Sequence, residues 1–314
     1  MGRSVLMPNR TTVIVLWAAT SILSAQQAPD LEYQPALPRP AYEAGQGPRI
    51  AVDEAHHNYH TADGRYRPFA ELLRRDGYRV AGLGQPFSPE SLSGVDVLVI
   101  ANALNARNVE DWSLPTPSAF APDEIAAVRA WVEKGGALFL IVDHMPFPGA
   151  AGDLARAFGV EFSNGFAVSK TVGGPSILTF TPDTGLRDNP VTRGRGGPEK
   201  VTSVATFTGS AFLPPKDAIP VLEFSAAFVS LKPTKAWQMN AATPKEPLTG
   251  WCQGAVMKVG RGRVAVFGEA AMFSAQLIGP RRQTMGMNAP EAPQNHQLLL
   301  NVMHWLTRAQ GMPD

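Results

Sequence analysis

The sequence predicts an α/β domain with a mostly parallel sheet, helices on both faces and an added β-rich segment. Three observations predict it. Short apolar runs alternate with amphipathic stretches, the rhythm of strand, helix, parallel strand. The runs 95–101 and 137–142 are apolar throughout, as strands covered on both faces are. Four of the runs end in a polar residue or pair, namely Asp53-Glu54, Asn102, Asp143-His144 and Glu269. In an open parallel sheet the carboxyl ends of the strands share one edge, so these residues are expected to meet there.

Residues 1–28 read as an export segment. Arg3 and Arg10 give a positive start, Thr12 to Leu23 is apolar, and Ser24-Ala25 supplies small residues near a cut. The apolar run is short for a bilayer span, so cleavage is favoured over an anchor, with the mature chain starting between Ala25 and Leu31. Membrane contact is expected only through this segment, and the protein is expected to be exported, periplasmic or extracellular. Residues 29–48 carry Pro35, Pro38, Pro40 and Pro48 with little periodicity, which predicts a linker. A single domain is expected over 49–309.

The first strand is expected at Arg49–Asp53. Phe69, Leu72 and Leu73 then recur at helical spacing over 65–76, and Gly77 supplies the stop. Strands follow at 78–83 and 95–101. The stretch 105–121 has no period and predicts a long loop of the kind that covers a site. Pro122-Asp-Glu opens a helix to Lys134, stopped by Gly135-Gly136. The run 137–142 is the most strand-like of the chain. Pro146, Pro148 and Gly149 predict a turn before a short helix over 150–158.

From 160 to 253 the rhythm fades into Thr, Gly and Pro, which predicts strands and turns added to the sheet edge without an independent core. Arg193-Gly-Arg-Gly-Gly matches no phosphate-binding pattern and predicts an exposed loop. Strands at 254–259 and 263–267 flank Gly260-Arg-Gly262, a tight-hairpin signal. A second long loop is expected over 279–293, and a last amphipathic helix over 295–309.

The chain is 44% hydrophobic and 18% charged, with a formal net charge of +1. That balance supplies a core and lacks the basic face that nucleic acid requires, so no nucleic-acid partner is expected. Cys252 is the sole cysteine, so no internal disulfide forms, and its place in Gly250-Trp-Cys-Gln-Gly predicts a buried structural thiol.

The densest chemistry lies directly after the first strand, where His56, His57 and His60 follow Asp53 and Glu54. Asp143, His144, Glu269, Asp53 and His57 are the expected catalytic set, since histidine–carboxylate pairs perform acid–base chemistry near neutral pH. Glu54, Asn58, Asn102 and Asn295 are the expected substrate contacts. In a second reading His56, His60 and His144 hold a divalent ion such as zinc, because imidazoles suit that ion. No His-Glu-x-x-His spacing supports it, and no Gly-x-Ser-x-Gly elbow supports a serine nucleophile. His296 and His304 read as structural or surface residues.

The blocks DEAHHNYHT–GRY–PFAELL–DGY, DVLVIANAL, DHMPFPGAA and FGEAAMFSAQ resemble an uncharacterised secreted family of the class I glutamine-amidotransferase-like fold. The resemblance covers most of 49–309 and implies a flavodoxin-like three-layer sandwich. It implies no activity. True amidotransferases hold a nucleophilic cysteine at the elbow that here reads Val142-Asp143-His144-Met145, so thiol hydrolysis of glutamine is not expected. The resulting expectation is an exported protein with a polar pocket at the strand carboxyl ends. It would act as a hydrolase-like or lyase-like enzyme on a small polar molecule, or else as a non-catalytic ligand-binding or interaction module.

Overall fold

The computed structural model describes residues 27–314. The expected export segment falls almost wholly on residues 1–26 and so lies outside them. No helix among the described residues is long and apolar enough to cross a membrane.

A nine-stranded sheet runs in the order Arg79–Leu83, Arg49–Asp53, Val97–Ala101, Ala137–Ile141, Gly262–Phe267, Cys252–Val259, Ala211–Leu213, Glu161–Ser163, with Ile219–Glu223 also paired to Cys252–Val259. The first five strands are mutually parallel. Their order is compatible with a flavodoxin-like arrangement. From Cys252–Val259 onward the pairing is antiparallel. The hairpin at 260–262 causes this reversal: Gly260 takes φ +57°, which permits a turn too tight for a crossover helix.

Period-two alternation assigns the faces. Val97, Val99 and Ala101 join Phe139, Ile141 and Phe267 on one side, packed by Phe69, Leu72 and Leu73 of helix Arg67–Arg75 and by Leu298, Val302 and Trp305 of helix Asn295–Leu306. Leu98, Ile100, Leu138, Leu140 and Val266 face the other way, against Val128 and Val132 of helix Pro122–Glu133 and Leu154 of helix Phe147–Ala157. Covered on both faces, these strands can afford no polar residue before their ends.

Several local expectations need correction. Helix Phe147–Ala157 begins three residues before the expected start, because Pro148 in its first turn costs no hydrogen bond. Residues 29–48 are not a free linker. Tyr33, Leu37 and Tyr42 pack against the core, the Ala41 N–H donates to Asp76 at 2.7 Å, and Ala28–Pro29 pairs with strand Ala275–Ile278. The 279–293 loop contains strand Gln283–Gly286, which closes a three-stranded sheet with those two.

The middle segment adds Glu161–Ser163, Ala211–Leu213 and Ile219–Glu223 to the edge of the large sheet and also builds smaller sheets. Strands Phe166–Ser169, Phe228–Leu231 and Lys245–Pro247 form a separate antiparallel sheet. It has its own small apolar cluster of Phe166, Val168, Val229, Leu231, Ala236 and Met145. Arg195 is not in an exposed loop: its side chain is tucked in, with the guanidinium 2.7 Å from Glu199. Asn189 caps the short helix Pro190–Arg193 just before it, a cap signal the glycines obscured. Cys252 is buried, and burial pushes its thiol up to about 12.

Candidate functional site

The four polar strand ends do lie on one edge of the sheet. Ala101 pairs with Ile141 and Ile141 with Phe267, so Asn102, Asp143 and Glu269 follow neighbouring strands that end in register. Their side chains nonetheless divide into two groups with different chemistry.

The first group closes on itself. The Asp53 carboxylate accepts from His56 Nδ1 at 2.8 Å, from Asn58 Nδ2 at 2.8 Å and from the Ala55 N–H at 3.1 Å. The Asp53–Ala55 bond is the local turn that Asx side chains form, and Asn58 Oδ1 accepts the His56 N–H at 3.0 Å. His56 Nε2 donates to Glu124 Oε1 at 2.9 Å, and the ring lies between Phe87 and Phe120 at 4.6 and 4.7 Å. Burial disfavours the imidazolium, but Asp53 and Glu124 outweigh it and hold His56 above its ordinary value. Glu124 also accepts the Phe87 and Ala121 N–H groups; burial opposes its ionisation, yet these donors and His56 hold it below the ordinary range. Every polar atom of His56 is thus engaged, and it braces the first strand against the start of helix Pro122–Glu133.

Other residues of the opening stretch stand outward or serve the backbone. His57 is exposed and takes φ +47°. Glu54 is exposed and accepts the Ala62 N–H at 2.9 Å. Asn295, expected to contact substrate, is buried and committed. Its amide accepts the Ala205 N–H at 2.9 Å and donates to the Ala205 and Met272 carbonyls. A helix N-terminus is a ready place for such an amide, and sequence alone cannot tell a clamp from a ligand contact.

The second group is centred on the elbow after Ala137–Ile141. Asn102 sits at φ +53°, a conformation asparagine tolerates better than most residues. Its Oδ1 accepts the Asp143 N–H at 2.8 Å and its Nδ2 donates to His60 Nδ1 at 3.2 Å. Burial and the Arg65 charge push His60 down to about 3, so the imidazole is neutral.

Glu269 is fully buried, its oxygens accepting the Ala271 and Met272 N–H groups at 2.8 and 2.7 Å. Burial, then the Asp143 charge, raise its carboxyl to about 8 despite those donors. The Tyr66 hydroxyl donates to the Ala270 carbonyl at 2.8 Å and feels both acids.

His144 has a fixed tautomer. Its Nδ1–H donates to the Met145 carbonyl at 2.8 Å, leaving the Nε2 lone pair without a hydrogen bond among the described residues. That nitrogen lies 4.0 Å from Asp143 Oδ1, which accepts the backbone N–H of His144 at 2.7 Å. The ring stacks on Phe166 at 4.5 Å and meets Trp237 at 4.6 Å and Trp112 at 6.0 Å. Trp112 and Trp237 come from loops tied by backbone bonds, Ala236 N–H to Trp112 O and Leu114 N–H to Thr234 O, each 2.9 Å. Sequence reasoning missed Trp237, whose signal was a large aromatic residue in a polar stretch with no period to bury it.

Among the described residues no group of three or more His, Cys, Asp or Glu side chains is placed to hold a metal ion. His56, His60 and His144 therefore do not form a ligand set. His56 has both nitrogens on carboxylates, and His60 Nδ1 is taken by Asn102. A cavity of about 310 Å³ opens at the other, amino-terminal edge of the sheet, beside Pro48, Asp96, Lys134 and Arg308. It gathers no histidine and no paired carboxylates.

No family model matches the chain. The mmIFT52 N-terminal domain is similar in structure, with TM-score 0.57 and 16% identity, over 83% of this chain and 98% of that one. At such identity the likeness concerns the fold alone. A ThuA-like protein from Bacteroides uniformis aligns at TM-score 0.48 and 13% identity over 86% of this chain and 95% of that one. A GMP synthase protein from Thermoplasma acidophilum aligns at 0.39 and 13% over 81% and 91%. A Synechocystis protein named for low molecular weight protein-tyrosine-phosphatases is 35% identical over 68 residues, 21% of this chain and 43% of that protein. The chain thus spans less than half the length of that curated relative, and the phosphatase name stays with it.

Proposed function

We propose that the carboxyl edge of the sheet is a small-molecule site centred on Asp143 and His144, where His144 acts as a general base in hydrolase-like or lyase-like chemistry on a polar substrate. One observation carries this reading. The Nε2 lone pair of His144, without a hydrogen bond among the described residues, lies 4.0 Å from Asp143 Oδ1, an oxygen that accepts the His144 backbone N–H. A substrate hydroxyl, amine or water supplies a donor to that nitrogen, and His144 receives its proton. Asp143 then stabilises the imidazolium. Glu269, neutral below about pH 8, is a positioning residue.

The amidotransferase-like resemblance of the sequence blocks supports the location, since the elbow is where such folds mount chemistry. In this reading the chain is exported, takes a small ligand, and needs no nucleic acid. The test is turnover of chromogenic ester, glycoside and phosphate substrates by the full chain. His144→Ala and Asp143→Asn should lower kcat/KM by roughly 10²-fold or more, whereas Asn58→Ala should not. Wild-type turnover in both of the first two variants sinks the proposal.

The second reading, a binding module without chemistry, is favoured by the closed Asp53–His56–Glu124 brace, which leaves one wall with no group to react. It predicts ligand binding lost in the same two variants with no turnover in the wild type.

A further inference from the structure

Trp237 is 49% exposed, one of the few large apolar side chains left in water among the described residues. Its backbone lies at φ +66°, a left-handed conformation that a bulky residue adopts only where its surroundings impose it. An exposed tryptophan gives back little burial in exchange for that strain. The conformation does bring the indole against the stacked pair of His144 and Phe166, at 4.6 and 5.0 Å from their centroids. The indole therefore stands beside the His144 imidazole, whose Nε2 lies 4.0 Å from Asp143 Oδ1.

We propose that Trp237 is the stacking platform of the candidate site and that the ligand it receives is a neutral saccharide; the inference rests on Asp143 and His144 being the centre of that site. The chemistry of the surfaces selects this class. His144 Nε2 and Asp143 only accept, so the ligand must bring adjacent donors, as the vicinal hydroxyls of a sugar ring do. The indole needs a flat apolar face, which the axial C–H groups of a pyranose present. An acyclic polyol has the donors without the rigid face, and a plain aromatic ring has the face without the donors. An anion would meet Asp143 directly, and of the cations at this edge Lys235 is already 3.4 Å from Asp111 while Arg65 lies over the Tyr59 ring at 3.9 Å and donates to the Tyr59 carbonyl.

The test is calorimetry and saturation-transfer NMR on the full chain with glucose, mannose, galactose, maltose and cellobiose, beside sorbitol, indole and choline. At least one saccharide should bind. Trp237→Ala should weaken that binding by about tenfold or more, and Trp237→Phe by no more than about threefold, since stacking energy survives in a smaller ring. His144→Gln should weaken it as well. Unchanged binding in Trp237→Ala with loss in His144→Gln overturns the platform and leaves the site standing. Unchanged binding in both variants overturns the site itself. Binding of indole or choline with no saccharide overturns the ligand class. Far-UV circular dichroism of Trp237→Ala, an exposed substitution, should match the wild type, which makes any loss of binding attributable to the missing ring.

Discussion

His56 Nε2 lies 2.9 Å from Glu124 Oε1, while its Nδ1 lies 2.8 Å from Asp53 Oδ1. One imidazole ring thus bridges two buried carboxylates that come from a strand end and a helix start. Removing it leaves both acids facing a void between Phe87 and Phe120. His56→Ala should destabilise the protein by about 3 kcal/mol, the cost of taking one partner from a buried pair. Urea unfolding measures this, and a loss within experimental error of zero would mean the brace is incidental.

The same brace has a pH signature. His56 is raised above 6.5, so its contribution is present below about pH 6.5 and is lost as pH climbs through the raised value. Glu124 is lowered below 4.5, so its contribution is present above about pH 4.5 and is lost as pH falls through the lowered value. The stability difference between wild type and His56→Gln should peak between those limits. Neutral buried His60, with its opposite dependence, cancels in that difference.

Glu269 behaves in the opposite sense to an ordinary surface acid. Raised to about 8, it holds a proton in the folded state that the unfolded chain gives up. Its contribution is full below about pH 4.5 and is lost as pH rises through about 8. Glu269→Gln cannot ionise, so the wild type should lose stability relative to it from about pH 5 to 8. Parallel stability curves over that range would show Glu269 to be ionised throughout.

Cys252, with a thiol at about 12 inside strand Cys252–Val259, should resist iodoacetamide at pH 8 in the native protein. Labelling should appear only with denaturant and follow the unfolding midpoint. Rapid native labelling would contradict the burial.

Asn295→Ala should cost about 2 kcal/mol, because it strands a buried N–H and C=O of Ala205 together. Ligand binding measured below the unfolding transition should remain unchanged, which separates the clamp from the site.

The parallel half of the fold was legible because burial on both faces forces uninterrupted apolar runs, as at Val97–Ala101 and Ala137–Ile141. Their polar ends were legible for the same reason. What each end does was not. Asp53 ends its strand and Asn102 and Glu269 follow theirs, yet Asp53 and Glu269 turn to local partners, His56 with Asn58 and the Ala271 and Met272 amides, whereas Asn102 joins His60 to Asp143, residues that only the fold brings together. The strap at 29–48 was missed because proline-rich sequence without a period reads alike whether bound or free. Trp237 was missed because a strained backbone leaves no mark in composition.

The ladder joining 112–114 to 234–236 has a mechanical consequence. Ser113 and Lys235 form its bridge, and the flanking amides of Leu114 and Ala236 close it. Two segments more than a hundred residues apart in sequence are thereby tied, so a displacement of one would carry Trp112 and Trp237 together. Hydrogen exchange should then release the Leu114 and Ala236 amides at the same rate.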